Sequence, residues 1–207
     1  MRLITTVIIT LKFLTNLASA TTKMEIVRDI VNSYQSQMYD RYNVGIDLQF
    51  DENSDMLQAT AGPDENNNPQ IIFHGGALKK LELDEIVFVI CHEIGHFLGR
   101  VHFKDTDFNP PIDPPLNYEL SLEGEADYFG GKCSAKYFND PYKAIDAARR
   151  AYSKVIESRV EIGGRYIHEI FDGVNGQYPT SECRLQTATN GALGHKRPAC
   201  WYNPRKN

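Results

Sequence analysis

Long hydrophobic runs are almost absent from this chain. After residue 20 no segment stays apolar for the roughly 20 residues that a membrane-spanning helix needs, which excludes an internal membrane anchor. Positive charge is also in deficit. The chain has 22 Lys and Arg against 27 Asp and Glu, with no basic stripe, so it has no electrostatic footprint for nucleic acid or anionic lipid. No C-x-x-C pair occurs, which speaks against a cysteine-ligated metal site. Internal repeats are missing too, which excludes a solenoid. What remains is a chain of 207 residues, enough for one domain with a sizeable core and too few for two ordinary ones.

The N-terminus stands apart. Arg2 forms a short positive region, Leu3 to Leu11 an apolar one, and Ala18-Ser19-Ala20 a small-x-small cleavage signal. The expectation is a secretory signal peptide over 1–20, followed by a single domain over 21–207, exported to the periplasm or secreted. Cleavage removes Arg2 and Lys12 and no acid, so the mature balance is 20 basic against 27 acidic residues.

Apolar positions Ile26, Ile30, Val31, Tyr34, Met38 and Tyr42 fall at helical spacing and predict an amphipathic helix over 24–42. Segments 46–50, 56–61 and 70–74 read as strands, the last two joined by an Asn-rich loop, and together suggest a small antiparallel sheet. Gly75-Gly76 is expected to end the sheet in a turn. A helix of about 84–98 follows, with Asp84 as N-cap, Gly99 as C-cap and Ile86 to Ile90 apolar all round, as in a buried helix. Two further helices are predicted over 122–138, capped by Ser121, and 141–160, with Ile145, Ala148, Tyr152 and Val155 facing inward. Residues 103–117 are a Pro-rich loop, and the tail from 173, rich in Gly, Pro and polar residues, is expected to wrap the domain.

The chemistry lies in residues 91–99, Cys-His-Glu-Ile-Gly-His-Phe-Leu-Gly. His92 and His96, four apart on a helix, share one face and can reach one metal ion. Glu93, rotated by one residue, sits where a general base must be to take a proton from water at that metal. Two imidazoles, an open position and an adjacent carboxylate are the parts of a zinc hydrolase.

Two residues compete to be the third ligand. His102 completes an H-E-x-x-H-x-x-G-x-x-H string over 92–102, the pattern of metzincins. That family needs a methionine turn downstream, and the last methionine here is Met56. The alternative is Glu123 in Glu123-Gly124-Glu125-Ala126-Asp127. Glu123 and Asp127 share a helix face, so Glu123 can ligate while Asp127 accepts a hydrogen bond from a ligating imidazole. Glu125 reads as a solvated carboxylate.

The apolar helix leading into H-E-x-x-H-x-x-G, followed by E-x-x-A-D, resembles the gluzincins and more narrowly the M48 metallopeptidases. The Cys before the motif, Glu-Gly-Glu-Ala-Asp-Tyr-Phe at 123–129, Cys183-Arg184-Leu185 and the Arg197-Pro198-Ala199-Cys200-Trp201 ending look like a small exported bacterial branch without membrane helices. The resemblance implies an α+β, mainly helical zincin-like domain with the motif helix at its core. It implies one Zn²⁺ held by His92, His96 and Glu123, Glu93 as catalytic base, and Asp127 behind the ligands. The substrate would be a protein or peptide, with the strand at 70–74 offering its edge. A metal-stabilised binding or chaperone-like module without turnover is the rival reading.

Cys91, Cys133, Cys183 and Cys200 make an even count, which in an exported protein suggests disulfides. Three pairings are open. We favour Cys91 with Cys133, tying the two metal-bearing helices together, and Cys183 with Cys200, pinning the tail. His168, Tyr166 and Arg184 are the candidates for stabilising an oxyanion opposite the metal.

Overall fold

The computed structural model describes residues 2–99, 123–163 and 180–198, and within them the side chains of 20–99, 123–155 and 180–198. The elements are α1 (Arg2–Tyr42), β1 (Asp47–Asp51), β2 (Ala59–Pro63), β3 (Pro69–His74), α2 (Gly75–Lys80), α3 (Leu83–Leu98), α4 (Glu123–Phe138), α5 (Pro141–Gly163) and α6 (Ser181–Leu193). The α+β, mainly helical expectation holds, with α3 at the centre, packed on α1, α4 and α5. The expected cleavage point after Ala20 falls within the unbroken α1. The Pro-rich loop at 103–117, Ser121, His102, Tyr166, His168 and Cys200 all lie outside the described residues.

The sheet is small as expected but mixed rather than antiparallel. Its order is β1-β3-β2, with β1 parallel and β2 antiparallel to β3. β2 and β3 form a hairpin whose Asn-rich loop is held by Asp64, which accepts from the amides of Asn66 and Asn68 at 2.8 and 2.7 Å. β1 arrives directly from α1 and pairs on the far side of β3. The buried run Ile71 and Phe73 explains this placement, because the central strand is the most apolar of the three. Both edges of β3 are therefore paired. The strand at 70–74 has no edge to offer a substrate, contrary to expectation.

Gly75 and Gly76 open α2 instead of making a turn. A Cβ at Gly75 would lie 2.4 Å from the backbone oxygen of Glu52, so the residue is small to let the loop after β1 approach. Lys23 of α1 closes the other end of α2, its ammonium donating to the carbonyls of Leu78 and Leu81 at 2.9 and 2.8 Å.

Helix α3 is buried all round from Glu85 to Gly95, as its composition predicts. Its N-cap is Glu82 rather than Asp84: the fully buried Glu85 carboxylate reaches back to accept from the Glu82 amide at 2.7 Å. Glu85 also accepts from Arg150 at 3.2 Å and Lys154 at 2.7 Å on α5, while Asp84 pairs with Arg150. At the other end, Arg41 and Tyr42 of α1 donate to the otherwise orphaned Phe97 carbonyl at 2.9 and 2.8 Å. Both ends of the helix are thus tied to neighbours by polar contacts, which fixes its axial position.

Helix α5 presents alanines to the core. Ala144, Ala147, Ala148 and Ala151 are buried, whereas Ile145, Tyr152 and Val155 are only partly so. Small side chains allow close helix approach, which a reading based on large apolar residues overlooks.

The C-terminal part, for which the sequence suggested no helix, contains α6. Thr180 caps it, accepting from the Cys183 amide at 3.2 Å. It lies flat on α4, because at Gly131 an added Cβ would sit 1.9 Å from the Ala188 backbone oxygen. Gly131→Ala raises helix propensity by up to about 1 kcal/mol. The clash nevertheless makes a net loss of about 1–3 kcal/mol the expected outcome, read from urea denaturation midpoints. A stabilised variant would show that the α4–α6 contact is not this close.

Candidate metal centre

The site lies across the α3–α4 contact. Gly95 permits it, since a Cβ there would come within 2.8 Å of the Ala126 backbone. The Cys91–Cys133 disulfide, with its Cα atoms 5.7 Å apart, ties the same two helices one residue before His92, as favoured from the sequence. Cys183 is also disulfide-bonded.

Helical spacing puts the rings of His92 and His96 4.8 Å apart between centroids and perpendicular, with their Nε2 atoms 3.2 Å apart. Glu123, at the first turn of α4, brings Oε2 to 3.3 Å from His92 Nε2 and Oε1 to 3.6 Å from His96 Nε2. These three residues form a possible metal-ligand cluster. For zinc–ligand bonds of about 2.05 Å, the edges of a tetrahedron are about 3.3 Å long. The separations of 3.2, 3.3 and 3.6 Å match one face of such a tetrahedron, so the donor set fits zinc in both type and spacing. His102 lies outside the described residues.

Asp127 is fully buried one turn after Glu123. Its Oδ1 lies 2.8 Å from His92 Nδ1. Asp127 thus stands where a carboxylate must be to orient His92 with Nε2 toward the metal. Tyr152 of α5 donates to Asp127 Oδ1 at 2.5 Å. From α6, Arg184 donates through Nε to Asp127 Oδ2 at 2.8 Å, and through Nη2 to Asp127 Oδ1 at 2.9 Å and Glu123 Oε2 at 2.7 Å.

The electrostatics follow from this packing. Burial works to raise the Glu123 and Asp127 carboxyls, but Arg184 and His92 outweigh it, holding Glu123 well below the usual carboxylate range and lowering Asp127 as well. Burial alone would lower His92, yet Asp127 and Glu123 push it up to about 10 in the metal-free protein. Glu93 is different. It is buried with 6 % exposure, and burial pushes its carboxyl up, offset in part by the nearby His92 and His96. A carboxyl raised by burial is more basic than an ordinary one and so better suited to take up a proton.

Sequence reasoning misplaced Glu125. It is buried, not solvated, and forms a two-pronged pair with Arg197 at 2.5 and 2.7 Å. Arg197 also stacks 4.0 Å over the Tyr128 ring, and Tyr128 donates to the His195 carbonyl at 2.8 Å, so residues after α6 are pinned to α4. The bridging role of Arg184 was missed as well, since nothing local marks one arginine in a polar helix as buried.

The family model for peptidase family M48 matches residues 9–107. Over that stretch the chain is similar to the M48 peptidases. The matched stretch contains His92, Glu93 and His96 and stops before α4, so Glu123 and Asp127 lie outside it. No curated protein and no solved structure matches the chain. No helix of the described residues is long and apolar enough to cross a membrane.

Metal ligation requires neutral imidazoles. Because His92 is raised to about 10, zinc uptake at pH 7.5 should release about one proton, measured by calorimetry in buffers of different ionisation enthalpy. In the metal-free protein the His92 contribution to stability is complete below its ordinary value of 6.5 and is lost as pH rises toward about 10. Zinc uptake without proton release would show that His92 is neutral beforehand.

Proposed function

We propose that the protein is a zinc-dependent endopeptidase that hydrolyses peptide bonds with water. The observation that carries this reading is the triangle of His92, His96 and Glu123 with Glu93 buried beside it. When bound, zinc supplies a Lewis acid that polarises the scissile carbonyl and makes water acidic enough to give up its proton near neutral pH. His92, His96 and Glu123 hold the ion. Asp127 keeps His92 in the ligating orientation. Glu93 takes the proton from the attacking water and passes it to the departing amine, so the amine does not leave as an anion.

An extended peptide needs an open strand edge for backbone pairing. β3 is paired on both sides, and of the outer strands β2 is the one that packs on α3, so the β2 edge is the docking edge we propose. Backbone pairing gives affinity with little side-chain selectivity, which suits a broad protein or peptide substrate. The M48-like match supports peptide-bond hydrolysis over a binding module, as does the buried Glu93, for which a module without turnover has no use. We also place the protein outside the reducing cytoplasm. The reading is supported by the absence of free cysteines among the described residues and by the leader-like first twenty residues.

Glu93→Gln should retain one zinc per chain and lose cleavage of an unfolded protein by a factor of at least about 10³, taken as the scale of a lost general base. Undiminished proteolysis by that variant, or by wild type in excess chelator, would sink the mechanism. Glu123→Ala should lose zinc while His102→Ala keeps it, as read from metal stoichiometry. The opposite result would hand the third position to His102.

A further inference from the structure

We propose that Arg184 is a positioning residue of the metal centre, with one guanidinium setting both the ligating carboxylate of Glu123 and the Asp127 carboxylate behind His92. The inference rests on the zinc-site reading and deepens it, placing part of the site on α6, outside the residues matched to the M48 family.

The geometry carries it. Arg184 contacts both oxygens of Asp127, Nε to Oδ2 at 2.8 Å and Nη2 to Oδ1 at 2.9 Å, while the same Nη2 reaches Glu123 Oε2 at 2.7 Å. A guanidinium is planar and its donors have fixed directions, so these contacts set the carboxylates relative to one another as well as to the arginine. Glu123 Oε2 is also the atom 3.3 Å from His92 Nε2, and Asp127 Oδ1 is 2.8 Å from His92 Nδ1. Arg184 therefore touches the two carboxylate oxygens that face the two nitrogens of a single imidazole. Tyr152 supports the arrangement, with Arg184 lying 5.1 Å over its ring and its hydroxyl on Asp127 Oδ1.

Arg184 is itself buried, 9 % exposed, and its Nε and Nη2 are engaged by Asp127 and Glu123. It acts through those carboxylates, not as a donor to substrate. Two physical effects of the arginine oppose each other. As a nearby cation it repels a dication, so an arginine that only balanced charge would, on removal, leave zinc bound more tightly. As a brace it holds Glu123 in the ligating orientation, so removal weakens binding. The short contacts to both carboxylates favour the second effect.

The test uses the full chain as wild type, Arg184→Lys and Arg184→Met, each stripped of metal. Zinc affinity is read by chelator competition and ligand geometry by the visible absorption of the cobalt(II) form. Arg184→Lys keeps the buried charge, so it remains informative should Arg184→Met fail to fold. We expect Arg184→Lys to bind zinc about 10–100-fold more weakly, with a changed cobalt spectrum, because an ammonium cannot brace two carboxylates at once. Arg184→Met, where folded by circular dichroism, should lose at least as much. Unchanged zinc affinity and spectrum in Arg184→Lys would overturn the inference, all the more if cleavage alone slowed, since that pattern belongs to a substrate donor. Tighter zinc binding in folded Arg184→Met would overturn it too. Failure of wild type to bind zinc is a separate result that removes the metal reading itself.

Discussion

Everything in this molecule that bears on chemistry depends on burying two carboxylates, Glu123 and Asp127, against two imidazoles at the α3–α4 contact. An unpaired carboxylate taken out of water costs several kcal/mol, so such an arrangement survives only with compensating charge and hydrogen bonds. His92, Tyr152 and Arg184 supply these from three different helices. The position of α6 follows from that need. It must lie close enough to α4 for Arg184 to reach both acids, and Gly131 is what lets it.

The same logic governs α3 as a rigid carrier of the metal ligands. Its apolar surface is enclosed by α1, α4 and α5, but apolar packing does not fix a helix along its own axis. Polar contacts at the ends do so, through Glu85 with Arg150 and Lys154 at one end and through the Phe97 carbonyl with Arg41 and Tyr42 at the other. The Cys91–Cys133 bridge adds a covalent tie beside His92. Preorganisation of this kind keeps ligand atoms at bonding separation before an ion arrives, which reduces the cost of binding it.

The helices and strands were largely legible because they follow local periodicity. The 3.6-residue spacing of Ile30, Val31, Tyr34 and Met38 and the apolar run of α3 each report their own burial. What was not legible depended on partners far along the chain. The pairing of β1 beside β3 brings together segments more than twenty residues apart, and strand alternation does not report its direction. The alanine face of α5 and the existence of α6 depend on helices packing closely, and small residues leave little periodic signal.

For the site, sequence determined the residue types and one spacing: His92, Glu93 and His96 on a single helical turn, and Glu123 with Asp127 on another. Those are consequences of the 100° step of the helix and need nothing else. Which two faces meet, whether Glu125 is wet or buried, and where the compensating cation comes from were decided only by tertiary structure. Arg184 and Arg197 lie about sixty and seventy residues from the acids they pair with, so no local pattern can announce them. Charge neutralisation inside a protein is a condition on the whole packed interior, and a sequence read one segment at a time reveals the acids without revealing what answers them.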